Sequence, residues 1–349
     1  MEEKLGPYEL NKIYHMDCFE MLKKIPDKSI DLVIIDPPYF KVMIKDWFNR
    51  KYEWDSQWGN IKEYQEWIFK LGEQIKRILK NNGSFYIFAD HKNCAYVQIE
   101  LDKLFHLENV IIWVKTCNIT RKGWRTYRCF VPVTERILFY SNEGRNRCLK
   151  NLTYVEYVKV LEPIIKYMIE QKEMIKKYFM FKTDSKFKEF INKIMNNVMS
   201  RHYFSYSQWQ FPTKEQYEKL QSINNYIFKE EYKIFKTEYH VFKKQYDDLK
   251  KQYENLRRPF HQDSNFTDVW YFAPVISKKN FGEHPTQKPI NIIKRIINTS
   301  SRENDIVLDC FIGTGTTALA CKETNRKFIG CELNAEYVKI AEQRISQNN

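Results

Sequence analysis

No apolar run in this 349-residue chain approaches the roughly 20 residues that a membrane-crossing helix needs. Met1-Glu2-Glu3-Lys4 carries no apolar signal segment, so the expected location is cytoplasmic, with no membrane partner. Eight cysteines are present, but none forms a Cys-x-x-Cys pair, and the seven histidines make no compact ligand set with them. No metal site is therefore expected. Cys18, Cys94, Cys117, Cys129, Cys148, Cys310, Cys321 and Cys331 read as reduced, mostly buried thiols. What the chain has in excess is positive charge: Lys+Arg 57 against Asp+Glu 44 gives +13, with a pI near 9.1. That balance favours a polyanionic partner, nucleic acid or an acidic surface. A mass of 42.5 kDa suffices for one large or two ordinary domains.

Two loops carry the chemistry. Asp31-Leu32-Val33-Ile34-Ile35 is an apolar strand that stops at Asp36-Pro37-Pro38-Tyr39, and Val307-Leu308-Asp309 stops at Phe311-Ile312-Gly313-Thr314-Gly315-Thr316-Thr317. In an open α/β sheet the carboxyl ends of such strands form the ligand crevice. Gly313 and Gly315 lack Cβ, so the chain turns sharply and its backbone approaches a ligand; Ala318-Leu319-Ala320-Cys321-Lys322 then reads as a helix whose N-terminus faces the loop. Lys327-Phe328-Ile329-Gly330-Cys331 reads as the next strand, ending at Glu332, a carboxylate placed to take both hydroxyls of a ribose. A dinucleotide, or a structural turn without a ligand, accounts for this loop equally well when it is taken alone.

Asp36-Pro37-Pro38-Tyr39 suits an exocyclic amino group, whose lone pair is delocalised into its ring until something accepts its hydrogens. Asp36 accepts one. The Pro37 carbonyl accepts the other, since two consecutive prolines fix φ and turn this oxygen outward. Tyr39 offers a flat face for a base drawn out of the duplex. The plain alternative is a proline turn ending a core strand.

With these two loops the chain resembles the amino-group DNA methyltransferases of the β arrangement, in which the Asp-Pro-Pro-Tyr half precedes the glycine-loop half. The resemblance covers most of residues 12 to 145 and 265 to 346. It includes His15-Met16-Asp17-Cys18, Trp54-Asp55, the strand Gly83-Ser84-Phe85-Tyr86-Ile87-Phe88-Ala89-Asp90, the strand Thr134-Glu135-Arg136-Ile137-Leu138-Phe139-Tyr140, and His284-Pro285-Thr286-Gln287-Lys288-Pro289. It implies an α/β fold, a Rossmann-like S-adenosylmethionine-dependent methyltransferase sheet with a largely helical inserted target-recognition region, in which the two loops become neighbours. It implies Asp36, Pro37, Pro38 and Tyr39 as catalytic residues. Cofactor contacts fall on Asp17, Asp36, Lys288, Asp309, Phe311, Gly313, Thr314, Gly315, Thr316, Thr317 and Glu332. Adenine N6 in double-stranded DNA is the expected target, because adenine members mostly carry Asp at the first motif position and cytosine-N4 members mostly Ser. Cytosine N4 is the alternative, and an inactive DNA-binding protein a remote one. Methylation at cytosine carbon 5 would use a Pro-Cys nucleophile, and this chain has no Pro-Cys dipeptide.

The expected domains are a catalytic half at 1–150, a helical insertion at 151–264 and a cofactor half at 265–349. From 151 to 260 there are 21 Lys+Arg and 14 Asp+Glu, over half of the net charge. A seven-residue repeat places Tyr232, Tyr239, Tyr246, Tyr253 and Phe260 in one row and Phe235, Phe242, Leu249 and Leu256 in another. Together they predict a long amphipathic helix ending near Pro259 and folded back on 154–199. Lys243, Lys244, Lys250, Lys251, Arg257 and Arg258 flank this stripe and suit phosphates or a solvated face. Arg121-Lys122-Gly123-Trp124-Arg125-Thr126-Tyr127-Arg128 interleaves cations and aromatics, so Arg121, Lys122, Trp124, Arg125 and Arg128 are the expected DNA contacts, against an ordinary solvated hairpin. Trp47, Trp54 and Trp58 read either as a lid over the base or as packing. A homodimer and a cognate restriction endonuclease stay open as partners.

Overall fold

A computed structural model describes residues 3–41, 57–116, 130, 132–142, 154–196, 200–224, 226–261, 267–275 and 287–347. The chain divides into two compact units, Met1–Cys148 with Arg258–Asn349, and Leu149–Arg257.

The strands of the first unit are β1 (Lys4–Leu5), β2 (Tyr8–Glu9), β3 (Lys12–His15), β4 (Ile30–Ile35), β5 (Leu79–Ala89), β6 (His106–Lys115), β7 (Thr134–Ser141), β8 (Val269–Phe272), β9 (Ile306–Asp309) and β10 (Lys327–Glu332). β1 and β2 form a small antiparallel pair, and the other eight make one sheet in the order β3-β10-β9-β4-β5-β7-β6-β8. β3, β10, β9, β4 and β5 run parallel, while β7 runs antiparallel to both β5 and β6. The expected strands at 31–35, 83–90, 134–140 and 327–331 coincide with β4, β5, β7 and β10.

An unbroken apolar strand is the mark of a sheet covered on both faces. In β4, Val33 and Ile35 pack with Met21 and Leu22 of α1 (Cys18–Lys24), Ile68, Leu71 and Ile75 of α2 (Ile61–Ile78) and Val97 and Leu101 of α3 (Cys94–Leu101). The alternate residues Leu32 and Ile34 pack with the isoleucines of α9 (Ile290–Ser300) and with Ala318 and Ala320 of α10 (Thr316–Glu323). α2 starts where the Asn60 side chain accepts from the Lys62 and Glu63 amides, and buries Tyr64, Ile68, Leu71, Ile75 and Ile78 at helical spacing. α11 (Ala335–Ser346) is capped in the same way by Asn334.

The second unit contains α4 (Tyr154–Val160), α5 (Glu162–Tyr178), α6 (Asp184–Met195), α7 (Lys214–Gln221) and α8 (Tyr232–Leu256). Phe235 is buried, Tyr239 stacks on Phe211 at 4.0 Å between centroids, and Tyr246 meets Tyr157 edge-on at 4.8 Å. The front of the aromatic stripe is thus covered by its own chain. The stripe fades further on, with Leu256 58% exposed. Phe260 lies beyond the helix and in the first unit, where it stacks on Phe139 at 6.0 Å, so it is not a member of the stripe.

Candidate active site

β4 pairs with β9 through Leu32↔Val307 and Val33↔Leu308, and β9 pairs with β10 up to Gly330↔Asp309. Parallel pairing in this register brings the carboxyl ends of the three strands to one edge. A cleft of ≈ 910 Å³ opens there, lined by Asp36, Pro37, Pro38 and Tyr39 from the first loop and Asp309, Phe311, Gly313, Thr314, Thr316, Thr317 and Glu332 from the second. Asp17 and Lys288 line it as well. Residues more than 250 positions apart in sequence therefore share one cavity.

At the catalytic end, Tyr39 donates its hydroxyl to Asp36 Oδ1 at 2.6 Å, and Lys288 Nζ donates to Asp36 Oδ2 at 2.5 Å. Both oxygens of the carboxylate are thereby fixed. Lys288 also lies 3.4 Å from Glu135 Oε2, while Lys115 pairs with Glu135 Oε1. The ammonium sits 5.2 Å from the centroid of the Phe88 ring and 5.8 Å from that of Tyr39. Burial alone would discharge Lys288, but the Asp36 and Glu135 carboxylates outweigh it and hold its pKa above the ordinary lysine value. Burial likewise opposes the Glu135 charge, and Lys288 and Lys115 overcome it, leaving Glu135 below the usual carboxylate range. The Tyr39 phenol is pushed well up, first by burial and then by the neighbouring Asp36.

In the second loop, Gly313 has φ +52° and its amide donates to Glu332 Oε2 at 3.0 Å, while the Asn334 amide donates to Oε1 at 2.8 Å. Burial raises the Glu332 pKa. Asp309 accepts from Thr317 Oγ1 at 2.5 Å and from the Phe311 amide at 3.0 Å, and burial pushes its carboxyl up to about 7. Arg344 of α11 donates to both the carbonyl and the hydroxyl of Thr314, tying the loop to that helix. The donor set fits an adenosyl cofactor. A carboxylate stands at the end of β10, backbone approaches at a left-handed glycine, and the N-terminus of α10 faces the cleft.

Some expected contacts fall elsewhere. Gly315 (φ +81°) does not line the cleft; a Cβ there would lie 2.8 Å from Ala341 Cβ, so this glycine admits α11 against the loop. The Asp17 side chain caps α1 through the Phe19 and Glu20 amides while lining the cleft. Trp58 is packed between Tyr64 and Trp67, at 4.8 and 5.1 Å between centroids, and is no lid. Arg121, Lys122, Trp124, Arg125, Arg128, Trp47, Trp54 and His284 to Thr286 lie outside the described residues. Cys18, Cys310, Cys321 and Cys331 are buried free thiols, and burial pushes Cys18 up to about 12. Among the described residues there is no group of three or more side chains able to hold a metal, and no helix long and apolar enough to cross a membrane. Glu135 and Lys115 were not among the expected site residues. Glu135 stands in the polar start of β7, Thr134-Glu135-Arg136, ahead of the apolar Ile137-Leu138-Phe139-Tyr140, and that position is the only signal that marks it.

Known proteins resemble this chain in sequence and in fold. The Type II methyltransferase M1.MboII of Moraxella bovis is 28% identical over 348 residues, covering 97% of this chain and 98% of its own. The DNA adenine methyltransferase YhdJ of Escherichia coli (strain K12) is 26% identical over 345 residues, covering 97% of this chain and 83% of its own. Among solved structures, the cytosine-N4-specific PvuII DNA methyltransferase shares the fold, with a TM-score of 0.50 and 17% identity over 100% of this chain and 92% of that one. The sequence profile of the DNA methylase family matches residues 30–343, from the first residue of β4 into the last helix. Spanning both loops and everything between them, that match makes the chain a member of the DNA methylase family, the N6/N4 amino-group DNA methyltransferases that use S-adenosylmethionine.

Proposed function

We propose that this protein methylates the exocyclic N6 of adenine in double-stranded DNA. The reading is carried by the single cleft that Asp36 and Tyr39 share with Gly313 and Glu332. Aspartate at the first motif position supports adenine over cytosine N4, as does the name of the Escherichia coli relative. Glu332 takes the ribose hydroxyls, and Phe311, Gly313, Thr314, Thr316 and Thr317 with Asp17 and Asp309 form the cradle around the rest of the cofactor. The Leu149–Arg257 unit and the cations of Arg121 to Arg128 serve DNA recognition.

S-adenosylmethionine, when bound, supplies a methyl carbon on a positively charged sulfur. The chain's task is to make a poor amine nucleophilic. Asp36 and the Pro37 carbonyl accept the two amino hydrogens of the flipped base, which lets its nitrogen become tetrahedral and aims the lone pair. Tyr39, fixed through its hydroxyl to Asp36, supports the base by stacking. The nitrogen–carbon bond forms as the carbon–sulfur bond breaks, and the surplus proton leaves the nitrogen afterwards. No covalent enzyme intermediate is needed, and Asp36 acts as acceptor and orienter.

Incubation with tritiated S-adenosylmethionine and unmethylated DNA, followed by mapping of the labelled base, tests the reading. Label on adenine N6 that disappears in Asp36→Ala, with cofactor binding retained, is the expected result. Label on cytosine overturns the choice of base, and near-normal transfer by Asp36→Ala overturns the role of Asp36.

A further inference from the structure

The resemblance places Lys288 at the methionine end of the cofactor, and the structure sets its ammonium against Asp36 in the wall of the cleft. Lys288 Nζ lies 2.5 Å from Asp36 Oδ2, across 252 residues of sequence, and only 9% of its side chain is exposed. Its second anionic neighbour is Glu135, held in turn by Lys115. Negative and positive groups thus alternate through Asp36, Lys288, Glu135 and Lys115, so the row carries no surplus charge. A buried ion pair is seldom the most stable way to fill a cavity, since well-packed apolar residues usually do as well. Its position on the wall of the cleft is the reason to look for a role in the reaction.

The geometry points to Lys288 as a positioning residue that fixes the plane of the Asp36 carboxylate, with Glu135 holding the ammonium in place. The inference rests on the proposed amino-group transfer at Asp36. A carboxylate bonded to Tyr39 alone would still pivot about one oxygen. A second donor on the other oxygen removes that freedom and leaves the remaining lone pairs aimed at the amino hydrogens. Without the ammonium, Lys115 alone faces the two carboxylates, and Glu135 loses the first of the two cations that hold its charge.

The two roles for Lys288 give opposite results. In Lys288→Met, the dissociation constant of S-adenosylhomocysteine stays within about threefold of the unaltered protein, while single-turnover methyl transfer falls about 100-fold. The acid limb of the rate profile moves up by about 1–3 pH units, because the Glu135 carboxyl on the cleft wall has lost the first of the two cations that hold its charge. The groups facing Asp36 that enter this profile are Tyr39, Glu135, Asp309 and, through Glu135, Lys115. Adding Glu135→Gln to Lys288→Met removes the opposing carboxylate and brings the limb part of the way back. Thermal unfolding supplies a readout independent of transfer: the melting-temperature losses of Asp36→Asn and Lys288→Met combine to less than their sum in the double variant. A Lys288→Met protein that loses about 100-fold in S-adenosylhomocysteine affinity with its acid limb in place overturns the inference, and so do additive melting losses. Absence of any transfer by the unaltered protein overturns the proposed function instead, and the thermal cycle still decides whether Lys288 clamps Asp36.

Discussion

Asp309→Asn isolates the electrostatic cost of the cofactor loop. Asp309 is 6% exposed, accepts from Thr317 and the Phe311 amide, and has a carboxyl pushed up to about 7 by burial. In the unfolded chain an aspartate titrates near 3.9. Between about pH 4 and pH 7 the folded protein therefore keeps a proton that the unfolded chain has released. Stability falls as pH rises through that window and levels off above it. At about 1.4 kcal/mol per pKa unit, the Asp309 contribution worsens by about 3 kcal/mol between pH 5 and pH 8. Asparagine does not titrate and keeps an acceptor for the Phe311 amide; its weaker bond to Thr317 adds a roughly constant penalty of about 1–2 kcal/mol. The stability of Asp309→Asn relative to the unaltered protein should thus rise by about 3 kcal/mol from pH 5 to pH 8. Urea unfolding of both proteins at pH 5, 6, 7 and 8 measures this, because the subtraction removes groups that titrate alike in the two. A difference that stays flat with pH would refute a buried, proton-holding Asp309.

Two further substitutions probe packing and charge. Gly315→Ala places a Cβ 2.8 Å from Ala341 Cβ at φ +81°, so strain and overpacking together should cost about 2–4 kcal/mol, read as a lowered melting temperature; a melting temperature unchanged from the parent would mean that α11 gives way freely. Lys244, Lys250 and Lys251 are exposed on α8, and replacing all three by Ala should flatten the dependence of log affinity for duplex DNA on log salt by about 3, near 0.9 per phosphate contact. An unchanged slope would remove this helix from the DNA contact.

Much of this site was legible in sequence because its residues stand where strands stop. Asp36 and Asp309 each end an apolar run, and a run too apolar to alternate declares a sheet covered on both faces. Glu332 was reachable by the same reasoning. The Lys288–Asp36 pair was not, since nothing local in either segment tells of a partner 252 residues away. Gly315 illustrates a different limit. A glycine reads as backbone room, and only the fold tells whether a ligand or a helix fills it. Trp58 could have gone either way, as tryptophan spacing carries no statement of which side a loop folds to. The α8 repeat gave the helix and its packed face correctly, yet periodicity alone could not say that cover would thin out toward Leu256.

The pairing of β4 with β9 also bears on how the molecule comes to exist. The Ile306 amide donates to Asp31 Oδ2 across 275 residues, so one flank of β4 stays bare until the chain through β9 has left the ribosome. At ordinary elongation speeds that wait is roughly 15–55 s. An apolar strand with an open edge is a template for mispairing with other chains. Translation products that stop within the helical insertion would carry that edge permanently, and should be found in aggregates or bound to chaperones.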